Sequence, residues 1–140
     1  REGRFRMVEE ETVDGVRINQ PAGHLEDRES LVEACAREAL EETAHHFTPE
    51  YLIGVYHWPR PSGDATYVRF TFGGSLAGFE EERALDTGIL RAMWMTLEEI
   101  AACRERHRNE MVWSGIQDYL AGRRFPLELI RYYGHKGIHI

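Results

Sequence analysis

Gly23-His24-Leu25-Glu26-Asp27-Arg28-Glu29-Ser30-Leu31-Val32-Glu33-Ala34-Cys35-Ala36-Arg37-Glu38-Ala39-Leu40-Glu41-Glu42 is the stretch on which the reading of this chain turns. From Ser30 to Thr43 the pattern is helical: Val32, Cys35, Ala36, Ala39, Leu40 and Thr43 recur at the 3.6-residue period. Most of these side chains are small, which lets a helix axis sit close to a sheet. Glu38, Glu41 and Glu42 stand at i, i+3 and i+4, so their carboxylates form one stripe beside that face. Like charges at this spacing cost about a few tenths of a kcal/mol per pair, and a divalent cation among them removes the cost. Hard oxygen ligands in an incomplete cage suit Mg²⁺ or Mn²⁺, which keep several waters and take further oxygens from substrate phosphates. An acidic helix taken alone reads more simply as a solvated outer face, with Arg37 pairing Glu33 or Glu41. The spacing around it reverses that order: Gly23, five residues, Glu29, seven residues, then Arg37-Glu38 and Glu41-Glu42.

On the N-terminal side, Phe5 to Glu11 reads as a strand, Asp14-Gly15 as a hairpin turn, and Val16 to Gln20 as the returning strand before Pro21. On the C-terminal side, Pro49 marks the latest point to which the helix can run. Tyr51 to Trp58 and Thr66 to Leu76 read as strands around a Pro59-to-Asp64 loop, the second alternating Val68, Phe70 and Phe72 against Tyr67, Arg69 and Thr71. Ala92 to Met95 is a short strand. Thr96 and Glu99 then have capping-box spacing for a helix to about Arg104. Asn109 caps a last helix carrying Met111, Val112, Ile116, Tyr119 and Leu120, ended by Gly122. Strands alternating with helices predict an α/β layered domain with a mixed sheet.

The 140 residues suit one domain spanning 1–140. With 42% hydrophobic and 29% charged residues, composition is that of a folded globular protein, and no apolar run reaches the roughly 18 residues of a membrane span. Seventeen Lys and Arg face 24 Asp and Glu, a net charge of −7, which disfavours a broad grip on nucleic acid or an anionic membrane. A net acidic protein acting on phosphates needs metal cations at its site. Cys35 and Cys103 lack metal-ligand spacing and read as reduced packing residues of a cytoplasmic protein, with no sign of a secretory leader. The chain starts at Arg1 without Met and enters an apolar segment at once, so a further strand is expected to precede it.

The spacing from Gly23 to Glu42 matches the Nudix box, G-x5-E-x7-R-E-U-x-E-E-x-G-U with U aliphatic, at six charged or glycine positions. The match departs at its end, where Ala44 and His45 replace the glycine and the aliphatic residue. An alanine forced into a left-handed cap is strained by roughly 1 kcal/mol, so the helix is expected to run on or close differently. Beyond the box, Arg4-Phe5 leading into Met7 to Glu10, the Gln20-to-Glu26 run, His57-Trp58, Val68-Arg69-Phe70, Ala92 to Ile100 and Phe125-to-Glu128 resemble the NudJ-like phosphatase subgroup. The resemblance covers most of the chain and implies the Nudix α/β/α sandwich. It implies metal ligation by Glu38, Glu41, Glu42 and the Ala22 carbonyl, with Glu29 and Arg37 orienting them. It implies a Mg²⁺ (or Mn²⁺) cofactor and attack of an activated water on a phosphoryl group. Glu42 is placed first as a ligand, leaving Glu38 or Glu41 as the base.

The subgroup resemblance further implies release of orthophosphate from hydroxymethylpyrimidine and thiamine diphosphates and from nucleoside tri- and diphosphates. Competing readings are another Nudix specificity, such as ADP-ribose or a damaged nucleotide, and a nucleotide-sensing domain without turnover; the intact carboxylate set favours the enzyme. Weaker candidates for substrate contact are His24, against a plain solvated loop histidine, Trp58, against packing, and Arg69, against a surface ion pair. Asp86, after the Glu80-to-Glu82 run, is either a carboxylate supplied from outside the helix or a turn residue. His135-Lys136 is assigned no role. The expected partner is a small phosphorylated molecule, and the expected assembly a monomer or small homo-oligomer.

Overall fold

A computed structural model describes residues 2–134, and His135-Lys136 lies outside them. Strands β1 (Arg4–Thr12) and β2 (Gly15–Asn19) form an antiparallel hairpin in which Val8 faces Asn19 and Thr12 faces Gly15. The Asp14-Gly15 turn forms as its sequence predicts: Gly15 takes φ 105, and Thr12 Oγ1 accepts from the Asp14 amide at 3.1 Å. Strand β5 (Ile89–Thr96) pairs antiparallel with the other edge of β1, giving the order β2-β1-β5. Strands β3 (His45–Pro59) and β4 (Thr66–Phe79) form a second, longer antiparallel pair. The expected mixed sheet thus takes the form of two antiparallel pieces. Its parallel component among the described residues is the single bridge Ile18 to His107.

Helix α1 (Leu31–Thr43) packs mainly on β3, while α2 (Leu97–Ala102) and α3 (Glu110–Leu120) follow β5. Both short helices begin at the caps expected: Thr96 and Glu99 form a reciprocal capping box, and Asn109 accepts from the Met111 amide. The apolar core lies between the β1 sheet and these helices, built from Met7, Ile18, Ile100, Val112 and Ile116 with Phe5, Met93, Met95 and Trp113 against it. Cys35 and Cys103 are free and half-buried, and burial pushes the Cys35 thiol up to about 12, consistent with packing. No helix among the described residues is long and apolar enough to cross a membrane.

Three expectations are corrected. The fully buried residues of α1 are Ala34, Glu38, Ala39, Glu42 and Thr43: Ala39 and Thr43 lie on the expected apolar face, Val32, Cys35, Ala36 and Leu40 are only half-buried, and two glutamates join the buried set. Two glutamates are accommodated there because each has a polar partner, Arg37 for Glu38 and the Ala22 amide for Glu42. The helix ends at Thr43, where its sequence pattern ends, but it does not run on or close differently as the alanine suggested: the chain reverses in a left-handed cap at Ala44, and β3 begins at His45, with Pro49 absorbed at a register irregularity. On β4 the alternation does not divide buried from exposed residues: Val68 is 56% exposed, Phe70 and Phe72 are half-buried, and Tyr67 and Arg69 turn inward to partners described below.

Candidate active site

The carboxylate stripe is held by the start and the end of α1. Ser30 caps the helix, accepting from the Glu33 amide at 3.0 Å while Glu33 accepts from the Ser30 amide at 2.9 Å. This Ser30-Glu33 box was legible as S-x-x-E and shows why Glu33 is not the partner of Arg37. At the other end Ala44 adopts the left-handed φ 62, ψ 12, its amide donating to the Leu40 carbonyl at 2.9 Å. An alanine thus fills the glycine position of the box with the strained geometry retained. The Glu80 amide, donating to the Ala44 carbonyl at 2.8 Å, and near-complete burial of the residue hold it there.

Arg37 gathers the acidic groups. Its Nε donates to Glu29 Oε2 at 2.6 Å and its Nη2 to Glu29 Oε1 at 3.0 Å, a two-pronged bond. Its Nη1 reaches Glu38 at 2.6 Å and Glu41 at 3.0 Å, and Nη2 also donates to the His24 carbonyl at 3.1 Å. The guanidinium beside Glu29 holds that carboxyl below its ordinary value. Arg37 is therefore spent on fixing carboxylate rotamers and the loop carrying His24. Gly23 completes the arrangement, because a Cβ there would overlap the Glu38 carboxylate.

Glu38, Glu41 and Asp86 each bring an oxygen to one place, all within 4.8 Å of one another. Asp86 arrives because its amide donates to the Glu41 carbonyl at 2.9 Å, tying the loop after β4 to the last turn of α1. Glu80, by contrast, is paired with His46 at 2.6 Å and with Arg83 at 3.3 Å, away from the stripe. Glu42 stands behind this trio, buried, accepting from the Ala22 amide at 3.1 Å. Burial, then the contact with Glu38, pushes Glu42 well above the ordinary carboxylate value, so in the absence of a cation a proton takes the place of positive charge. The donor set, hard carboxylate oxygens from one helix and a neighbouring loop that outnumber the single guanidinium among them, fits Mg²⁺ or Mn²⁺.

A cleft of about 1130 Å³ opens beside this centre, lined by residues of both sheets, and Gly23, His24, Glu38, Trp58, Tyr67 and Arg69 all line it. Trp58 and Tyr67, facing each other across β3 and β4, lie near-parallel at 6.1 Å and 15°, and His24 meets Tyr67 edge-on at 6.4 Å. Tyr67 did not figure among the candidates. Its signal was the cross-strand position opposite Trp58, which needs the hairpin register to be seen. Arg69 is no surface ion pair: its Nη2 donates to Asn19 at 3.0 Å and Gln20 at 2.8 Å.

Residues 2–113 match the NUDIX domain model. Phosphatase NudJ of Escherichia coli (strain K12) is 39% identical over 130 residues, 92% of this chain and 83% of that protein. A solved NUDIX hydrolase from Nitrosomonas europaea is 48% identical with a TM-score of 0.92, covering 95% of this chain and 90% of its own. The MutT protein from Methanosarcina mazei Go1, 20% identical with a TM-score of 0.68 over 87% of each chain, shares the fold. The spacing that first marked Gly23 to Glu42 thus sits in a fold and a set of relatives that agree with it, and the chain belongs to the Nudix family of hydrolases, acting on phosphorus-containing anhydrides.

Proposed function

We propose that this hydrolase is a cytoplasmic, Mg²⁺-dependent (or Mn²⁺-dependent) phosphatase that releases orthophosphate from pyrimidine diphosphates, of the hydroxymethylpyrimidine and thiamine type, and from nucleoside tri- and diphosphates. The observation that carries the reading is the convergence of Glu38, Glu41 and Asp86 within 4.8 Å beside a cleft walled by Trp58 and Tyr67. Glu38, Glu41, Glu42 and the Ala22 carbonyl hold the cation, with Asp86 added from the loop, and Glu29 and Arg37 keep the carboxylates in register. A divalent cation bound there neutralises anhydride charge and acidifies water.

The chain's own groups do the rest. Glu41 accepts the proton of the attacking water, because its side chain is 28% exposed against 12% for Glu38 and can pass the proton on to solvent. The water oxygen forms a bond to the terminal phosphorus, the bond from that phosphorus to the bridging oxygen breaks, and the shortened phosphate leaves with the bridging oxygen. Trp58 and Tyr67 offer flat apolar surface to a pyrimidine ring, and His24 stands at the phosphate side of the cleft. The similarity to Phosphatase NudJ supports terminal cleavage over pyrophosphate release. Phosphorus NMR of the products decides it: a nucleoside triphosphate is expected to yield the diphosphate and orthophosphate. Predominant pyrophosphate would sink this specificity and leave the family assignment standing.

A further inference from the structure

The cleft is lined by a cation that has no carboxylate in direct contact, although Glu10 and Glu42 act on it from a distance. Arg69 is half-buried on β4 and lines the cleft, and loss of hydration is the largest influence on its guanidinium, holding its pKa below the ordinary arginine value. Its hydrogen-bond partners are neutral: Nη2 donates to Asn19 Oδ1 at 3.0 Å and to Gln20 Oε1 at 2.8 Å. Among the described residues, no carboxylate lies within ion-pair distance of it. Glu10, whose charge favours the cation from a distance, is already committed, accepting from Arg108 at 2.9 Å and from the Asn19 side-chain Nδ2 at 3.4 Å. Gln20 is in turn fixed by donating to the Val112 carbonyl at 2.8 Å, and Asn19 is buried at the end of β2. Desolvating a cation without a counter-ion is costly, and two amide oxygens orient a guanidinium without neutralising it. Bonds made by Nη2 alone leave Nε and Nη1, the other donors of the planar fork, unspent by these amides.

We propose that Arg69 is a phosphoryl-binding residue of the cleft, held by Asn19 and Gln20 as positioning residues, and that it takes a phosphoryl group of the substrate as its counter-ion. This rests on the reading of the chain as a hydrolase of phosphorylated small molecules. It assigns the cleft two phosphate-recognising walls, an acidic one on α1 that works through a cation and a basic one on β4 that works directly. A substrate with a single neutral polar head would leave Arg69 buried and unpaired, so discrimination against unphosphorylated nucleosides follows from the same geometry.

The test is calorimetric titration of pyrophosphate, of a nucleoside diphosphate and of the unphosphorylated nucleoside into wild-type, Arg69→Met, Gln20→Glu and Arg91→Met proteins, metal-free and with Mg²⁺. Gln20→Glu is the sharper variant, because it hands Arg69 an internal carboxylate while leaving the arginine in place. The expected result is at least a tenfold loss of pyrophosphate affinity in both Arg69→Met and Gln20→Glu, with Arg91→Met, a surface partner of Glu9, unchanged. Folded Gln20→Glu protein that binds pyrophosphate like wild type would overturn the proposal, as would wild-type protein that binds none in either condition. An equal loss of affinity for the unphosphorylated nucleoside would also overturn it. Absence of Mg²⁺-dependent orthophosphate release is a separate readout, and it bears on the reaction rather than on Arg69.

Discussion

Helices α1 and α3 are of similar length and both pack into the fold, yet they bury opposite kinds of side chain. On α3 the buried set is Met111, Val112, Gly115 and Ile116; on α1 it includes Glu38 and Glu42. Helix α3 is placed by the hydrophobic effect, each buried aliphatic side chain contributing roughly 1.5–3 kcal/mol. Helix α1 carries carboxylates into a site where they repel and lose water, a cost offset by the Arg37 network, by the Ser30-Glu33 capping box and by a cation when one is bound. Stability and chemistry are therefore housed in different helices, and each can be perturbed with little effect on the other.

The strongest way to sharpen this contrast is Glu42→Gln. It removes a ligand charge and no core volume, so turnover with Mg²⁺ is expected to fall about 1000-fold, equivalent to about 4 kcal/mol of barrier, while the far-ultraviolet circular dichroism stays that of wild type. Steady-state kinetics that leave turnover unchanged would break the assignment of α1. On the other helix, Ile116→Ala is expected to lose roughly 2–5 kcal/mol in a denaturant titration, since Ile116 is 3% exposed, with kcat of the folded fraction retained.

A smaller effect separates the helices by pH. Glu42 holds its proton more tightly in the native state than its ordinary value of 4.5, so the native state binds the extra proton. The stability it contributes is fully present below pH 4.5 and is lost as pH rises toward the elevated native value. Thermal melts of chelated protein from pH 5 to 8 should therefore show a decline that Glu42→Gln lacks, on the order of 1 kcal/mol or roughly 4 °C. Saturating Mg²⁺ should flatten the wild-type curve, because the cation takes the place of the proton. The smallest expected change is Ala44→Gly. Relief of about 1 kcal/mol of left-handed strain is offset by about 0.8 kcal/mol for the lost buried methyl, so the melting temperature is expected to move by less than about 4 °C. A larger rise would show that the cap, and not packing, limits this helix.

What could be read from the residues was whatever local chemistry settles over a few positions. The Asp14-Gly15 turn, the caps at Thr96 and Asn109, and the offsets from Gly23 to Glu42 each express a backbone or charge requirement within one turn of chain. Those offsets also sufficed for the family, because Arg37, Glu38, Glu41 and Glu42 share a helix and only that helix is needed to align them. Hydrophobic periodicity found the helix and the burial of Ala39 and Thr43 but was incomplete for a physical reason: it assigns glutamates to solvent, and here two are buried. The sequence by itself therefore determined the elements, the carboxylate stripe and the class of reaction. Tertiary structure alone decided which face of α1 is buried, the meeting of Asp86 with Glu38 and Glu41, the pairing of Tyr67 with Trp58, and the inward turn of Arg69 onto Asn19 and Gln20. Each of those joins residues far apart in the chain, and which of them meet depends on strand register and loop closure that no local propensity encodes.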